Sequence, residues 1–596
     1  MNVCPYFIIL NSPTIMKAIP FLATLSCLLA MPTWGKEAQT GLWGDQGDGT
    51  FRNPILAGDY SDPDPIRVGK DYYMASSTFA CSPGVTILHS RDLVNWETIG
   101  AALSDLSLLE PRFNWDKMDR YSKGLYAPSM RYHDGKFWIF VNDYTGGFYC
   151  CTALNPAGPW KVTQMLDKNR KPLRPYGWTD PCPFWDDDGK AYLASSRPGK
   201  QWFGYLFEMT PDGTQLLDAD SQKMSVADVK YAYPEGGTLF SPFHSTEGNK
   251  IYKRNGYYYL IHIEFTNGGN GMGTYVLRSK HIYGTRADGS PGKPGDVGTY
   301  ELFKFGPVGP RDSDQKIPGQ GGLVDTPDGQ WFWMAQFNHS GSDGRRPTLT
   351  PVTWIEDWPV PGVNIKDKQG DFAWQLPKPI QGSTVKFPFS SDDFDKPALN
   401  PCWLWNHQPR ADKWSLTERP GFLRLHAFKP AGLKDPDEPV KFFRVANVIN
   451  QRHFRSELTR ATFKLDLSGM ADGQEAGIAH FNGGQNNASL GVSQKGELKI
   501  LKYEENGKLT PGPELPKGAT MIWMRSTVKM DDRNVYEYSL DGETFLPFGG
   551  TYRLSTAGWR GDMIGTYTFN SLGEAGYVDV DSFQYEVHNA PAAKTQ

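Results

Sequence analysis

The sequence predicts an all-β protein: a five-bladed β-propeller followed by an antiparallel, jelly-roll-like β-sandwich. Three observations carry that expectation. A hairpin unit, made of an apolar step, a tight Gly turn and an aromatic-rich strand, recurs five times, with turn glycines at Gly69, Gly135, Gly189, Gly256 and Gly329. Their spacing of 54 to 73 residues suits a radial array of small sheets. From Phe389 on, longer alternating strands separated by turn signals replace the repeat, as a sandwich requires. No long amphipathic helix interrupts either part.

Taken in order, the chain begins with a targeting segment. Lys17 precedes an apolar run from Ile19 to Met31 that is too short to span a membrane. Thr33-Trp34-Gly35 then places small residues at positions −3 and −1 of a cleavage site. Residues 1–35 are therefore expected to be a signal peptide. Residues 1–15 read as an upstream extension, with Met16 as the alternative start. The mature protein is expected to be exported, periplasmic or extracellular, without a membrane span; a lipid anchor at Cys27 is the weaker alternative.

Residues 36–52 are polar and Gly-rich and read as a loose leader. Residues 53–358 hold the five repeats. Ser90-Arg91-Asp92-Leu93-Val94-Asn95-Trp96, Leu154-Asn155-Pro156-Ala157-Gly158-Pro159-Trp160 and Ser279-Lys280-His281-Ile282-Tyr283-Gly284 each close a blade with an aromatic near a turn. These tails favour blades over five coincidental hairpins in a large sandwich. Residues 284–321, dense in Gly, Pro and Asp, read as a long surface loop, and 359–387 as a linker. The sandwich occupies 388–590, with strands such as Arg455–Leu465, Glu475–Phe481, Glu497–Tyr503 and Asn534–Leu540.

A chain of 596 residues is long enough for two or three domains. A net charge of −4 offers no basic field for nucleic acid. Aromatics make up 13% of the chain and include 19 Trp; they suit β-cores or sugar stacking, and composition alone favours cores. Once Cys4 and Cys27 leave with the leader, five cysteines remain. An odd number without regular spacing is no disulfide framework, and without a Cys-x-x-Cys pair no zinc site is expected. Cys182, near Asp180, reads as a buried structural thiol.

The chemistry lies at the starts of the innermost strands, which point to the propeller axis. Those starts carry Asp62, Pro128, Asp180, Glu247 and Gly319-Gln320-Gly321-Gly322. Three carboxylates from different blades would converge on one funnel. Clustered like charges raise one another's pKa, which is how one site obtains both a base and an acid near neutrality. Glycoside hydrolysis needs such a set: one carboxylate activates water while a protonated one donates to the leaving oxygen. The competing reading, turn capping by Asp before Pro, is applied to Asp64 and not to Asp62, Asp180 and Glu247.

Asn53-Pro54-Ile55-Leu56-Ala57-Gly58-Asp59-Tyr60-Ser61-Asp62-Pro63 resembles the opening of glycoside hydrolase family 43. The resemblance continues through His89–Trp96, Ala127–Lys136, Gly177–Phe184 and Thr246-Glu247-Gly248, and on into the C-terminal sandwich of the β-xylosidase and α-L-arabinofuranosidase branch. It implies inverting hydrolysis, with Asp62 as general base, Asp180 as pKa modulator and Glu247 as general acid. Base and acid are then expected roughly 6.5–9.5 Å apart. Phe79 and Trp178 are candidates for an apolar wall around the terminal sugar, with core packing as the alternative. Arg345 resembles an arginine of the fifth blade that reaches substrate hydroxyls; Arg346 beside it competes for that role. The family often carries a His just before the Gly-Leu-Val step of the fifth blade, near a central ion or water cluster, and Gly319–Val324 has none. No cofactor is therefore expected to be required, with a structural calcium at the axis as the alternative.

The expected partner is an oligo- or polysaccharide. The reading favoured is exo-acting release of terminal α-L-arabinofuranose from plant cell-wall polymers, with β-D-xylosidase as the alternative on the same fold. A non-catalytic carbohydrate-binding propeller and a protein-interaction scaffold are readings of other classes. The sandwich, which shows no catalytic constellation, is expected to pack on the propeller and narrow the funnel, or else to be a sugar-binding module.

Overall fold

The computed structural model describes residues 43–588 except 122, 144–146, 174–177, 198–202, 229–230, 242–245, 266–271, 308–316, 338–340 and 485. Five antiparallel sheets of four strands each follow one another along the chain. Their first strands are Asp64–Val68, Leu125–His133, Thr179–Trp185, Thr246–Arg254 and Gly319–Asp325. Each first strand packs against those of the neighbouring sheets, and the fifth returns to the first, so the five starts form a closed ring. Within a sheet, successive strands neighbour one another, as in Asp64–Val68, Asp71–Ser76, Gly84–Ser90 and Trp96–Leu103. This is a propeller, and Gly69 at φ 66 and Gly135 at φ 70 make the tight inner turns that the repeat implied.

The loop, the leader and the linker hold more order than their composition suggested. The supposed loop 284–321 contains Glu301–Pro307, the outer strand of the fourth sheet. Glu301 and Leu302 are exposed, as an edge strand tolerates, while Phe305 packs inward. The third sheet takes its fourth strand from Thr238–Ser241, after an inserted hairpin of Ala219–Asp228 and Tyr231–Gly236. The leader and linker also meet: Gln375–Pro377 pairs with Thr50–Arg52, which pairs with Gly44–Asp45.

The C-terminal part is a sandwich of an eight-stranded and a seven-stranded antiparallel sheet. Met521–Lys529 shows why: its odd and even positions alternate between half-buried and buried, the signature of a strand with one face in a core. One edge of the eight-stranded sheet is completed from the propeller, where Cys81–Ser82 pairs with Leu404–Asn406. The apolar core follows the same path. Tyr60, Trp96 and Leu349 of the propeller share one cluster with Trp403, Ile449 and Phe583 of the sandwich. Cys81, Cys150, Cys151, Cys182 and Cys402 are buried free thiols.

Candidate active site

A recurring kink builds the site. In four sheets the register of the first strand slips at one place: between Tyr126 and Ser129, Thr179 and Cys182, Glu247 and Lys250, and Gly319 and Gly321. These are β-bulges, which bend a strand and re-aim its side chains. The residue at the kink has a left-handed backbone in every blade: Asp62 at φ 56, Ala127 at 36, Asp180 at 54, Gly248 at 66 and Gln320 at 57. Proline follows at positions 63, 128 and 181, tolerated because a bulge leaves its nitrogen outside the ladder. The expectation that the three carboxylates occupy equivalent positions therefore needs correction. Asp62 and Asp180 sit on the kink, whereas Glu247 stands one residue before it, at the place Tyr126 holds in the second blade.

Asp62 is held from several sides. Its Oδ2 accepts from Ser77 Oγ at 2.6 Å, and its Oδ1 accepts from Arg345 Nη1 at 2.9 Å and Gln336 Nε2 at 3.2 Å. Its own backbone N–H donates to Gln336 Oε1 at 2.6 Å, so one amide side chain grips both ends of the residue. Asp180 accepts from Gly248 N at 2.6 Å and Thr179 Oγ1 at 2.8 Å. Burial, joined by the charge of Asp62, raises its carboxyl above the usual range against those hydrogen bonds.

Glu247 keeps part of its surface accessible, as a residue on a funnel floor must, while protein surrounds the rest. Burial, then the neighbouring charges of Asp180 and Asp62, outweigh Arg345 and push its pKa up to about 8. Asp62 and Asp180 are thus close enough to raise Glu247, which holds its proton at neutral pH.

Arg345 links this centre to the sandwich. Its side chain is 12% exposed and its guanidinium lies 5.2 Å from the ring centre of Trp559. Trp559 comes from a tight sandwich turn at φ 88 and is 52% exposed. Buried Asp59 fastens the two parts, accepting from Arg345 N at 3.1 Å and Gly561 N at 3.0 Å. Arg346 turns away, to Asp343 at 3.4 Å. Of the two adjacent arginines, Arg345 therefore faces the carboxylates.

Phe79 and Trp178 take packing positions. Phe79, 2% exposed, meets Tyr126 edge-on at 5.6 Å. Trp178, 1% exposed, lies against Phe207 at 4.5 Å and Phe148 at 6.3 Å. Tyr126 is the half-buried aromatic among the charges of the site, within the fields of Arg345 and Asp62. Sequence reasoning missed Ser77, Gln336, Tyr126 and Trp559. Tyr126 alone left a signal, since it precedes the Ala127-Pro128 kink as Glu247 precedes Gly248.

Asp64 is no turn cap. It is fully buried one layer below the carboxylates, accepting from Met130 N at 2.7 Å and Arg131 Nη1 at 2.7 Å, with Lys250 Nζ at 3.9 Å. Arg131 also reaches Cys182 Sγ at 2.8 Å. Calcium takes six to eight oxygen ligands. Here two side-chain cations flank the buried Asp64 carboxylate, and among the described residues no three His, Cys, Asp or Glu stand close enough to hold a metal. One carboxylate shared with two cations does not fit a calcium ion.

Comparison with known proteins bears on the same residues. The model of glycosyl hydrolases family 43 matches residues 51–359, and that of the β-xylosidase C-terminal concanavalin A-like domain matches 391–586. A β-xylosidase of Formosa agariphila is 35% identical, across 98% of this chain and 100% of its own. A non-reducing end α-L-arabinofuranosidase of Bacteroides ovatus is 31% identical, across 84% of this chain and 83% of its own. The crystal structure of the family 43 protein BlXynB from Bacillus licheniformis superposes with a TM-score of 0.71 at 26% identity, covering 90% of this chain and 100% of that one. The propeller carrying Asp62, Asp180 and Glu247 and the sandwich behind Arg345 are thus matched in full, and the chain belongs to glycosyl hydrolase family 43.

Proposed function

We propose that this glycoside hydrolase is an inverting, exo-acting β-D-xylosidase that removes terminal xylose from plant cell-wall oligosaccharides. The observation that carries the mechanism is the pairing of Glu247, protonated up to about pH 8, with Asp62, whose carboxylate accepts from Ser77, Arg345 and Gln336. In one displacement, water attacks the anomeric carbon and passes a proton to Asp62. The glycosidic C–O bond breaks as Glu247 gives its proton to the leaving oxygen. Asp180 keeps Glu247 protonated through its negative field. Arg345 orients Asp62 and, with Trp559 across its face, meets the sugar's hydroxyls. The Formosa relative, named a β-xylosidase and matched along its full length, supports xylose in place of the arabinose favoured above. The Bacteroides relative keeps α-L-arabinofuranose as the second reading. Export through the leader at 1–35 is part of the same proposal, since such polymers lie outside the cell.

The test is turnover of aryl β-D-xyloside and aryl α-L-arabinofuranoside by residues 36–596, with NMR of the first-formed anomer. The expected result is faster cleavage of the xyloside, inverted product, and loss of about 10²–10⁴-fold in kcat with Asp62→Asn or Glu247→Gln. A retained anomer would overturn the mechanism. Preference for the arabinofuranoside would decide for the second reading. Glycan retention without turnover would make the propeller a binding module.

A further inference from the structure

The sandwich holds a cavity that the hydrolytic site does not use. It has a volume of about 650 Å³, within the ~300–1,000 Å³ of small-ligand sites. Its floor is the face of the eight-stranded sheet turned away from the shared core. Glu475, Ser493 and Ile500 lie abreast in register there, with Lys502 and Glu504 further along the same face. The strand Lys508–Glu514 forms one side, and the turn around Pro436–Val440 the other.

This floor is polar, whereas the neighbouring part of the same sheet face packs Tyr567 and Phe569 against Phe442 and Val445. Lys502 Nζ bonds Glu475 at 2.6 Å and lies 3.4 Å from Glu504, and these three side chains are 10–18% exposed. Tyr567 Oη donates to the other Glu475 oxygen at 2.7 Å. Gln494, 7% exposed and part of the lining, has an Oε1 without a hydrogen-bond partner. Buried polar groups of this kind are ordinarily satisfied. The rim mixes exposed charges, Asp437, Glu438, Asp472 and Lys495, with Leu509 and Leu572, which are about half exposed. Leucines beside converging donors and acceptors are the make-up of a site for a compact polar ligand.

The charge narrows the class. Five carboxylates and two lysines line the cavity, a balance that repels phosphates and uronates. The ammonium offers donors and the carboxylates offer acceptors to vicinal hydroxyls. We propose that the cavity is a second, non-catalytic site that binds a short segment of the neutral polysaccharide whose chain ends the propeller cleaves. The choice of a neutral pentosan rests on the function proposed above.

The test is affinity electrophoresis of full-length Glu247→Gln in gels containing arabinoxylan, arabinan or galactomannan, with a polysaccharide-free gel as reference. An exo-acting funnel meets only chain ends, so mid-chain binding dominates retardation. Retardation by arabinoxylan is expected, and Ser493→Trp, which fills the cavity without removing a charge partner, is expected to abolish it. Lys502→Met/Glu504→Gln is the second variant, in case the tryptophan does not fold. In the otherwise wild-type chain, both are expected to leave aryl-glycoside kcat and KM unchanged within about twofold. Absence of retardation in every gel, or retardation that survives both variants, overturns the proposal. Retardation by galactomannan alone, lost in the variants, upholds the site and overturns the pentosan reading.

Discussion

Asp180 makes Glu247 harder to ionise, and the consequence is measurable. Asp180 stands second only to burial in raising Glu247. Asp180→Asn removes that negative field, so Glu247 loses its proton at lower pH. The alkaline limb of kcat/KM, expected near pH 8 in the wild type, should move acidward in the variant. A limb that stays in place would show that Asp180 acts on the substrate and not on the acid. Stability carries the same sign information. The folded pKa of Glu247 lies above its ordinary value of 4.5, so its contribution to stability is complete below about pH 4.5 and is lost as pH rises through about 8. Glu247→Gln has no proton to lose. Its melting temperature should gain on the wild type between pH 6 and pH 9, and an unchanged gap at both pH values would contradict a buried, proton-holding Glu247.

At the level of the strand, the bulge sets which residue faces the axis. A ladder has a period of two, so a slip of one residue turns a side chain to the other face. Asp62-Pro63 and Asp180-Pro181 advertise their kinks in the sequence, because proline is confined to such breaks. Glu247-Gly248 does not, which is why its one-residue offset was invisible and the three carboxylates read as equivalent. The five turn glycines and the acidic starts were legible because they recur. Gln336 and Ser77 were not, since they end second strands whose alignment with the kinks emerges only in three dimensions. Gly248 tests the kink itself. At φ 66, a side chain there is strained, and its Cβ would lie 3.1 Å from Gln320 Cγ. Gly248→Ala should cost about 1–2 kcal/mol of stability. It should also lower kcat more than it raises KM, because Gly248 N holds Asp180 at 2.6 Å. A stability loss with unaltered kcat would separate the kink from the chemistry.

Across the whole molecule, the change of texture near residue 389 marks two modules in the sequence, yet the structure does not let them part. The segment that joins them physically, Cys81–Ser82, is only two residues long and lies inside the first propeller blade. Nothing in so short a stretch announces that it completes the sandwich's eight-stranded sheet. The apolar cluster common to both modules has the same effect, since Tyr60, Trp96 and Leu349 are covered partly by sandwich residues. Uncovering each large apolar side chain costs about 1.5–3 kcal/mol, and a handful of such losses matches the ~5–15 kcal/mol that holds a protein folded. Asp59 adds a polar tie at the active-site end, holding the backbones of Arg345 and Gly561 together. Residues 36–387 expressed alone should therefore show no cooperative melting and no glycosidase activity, while residues 36–596 should unfold in one calorimetric transition. Two separate transitions in the longer chain, or a truncated propeller with wild-type kcat, would mean that the sandwich is an appended module and that Trp559 and Arg345 function independently of it.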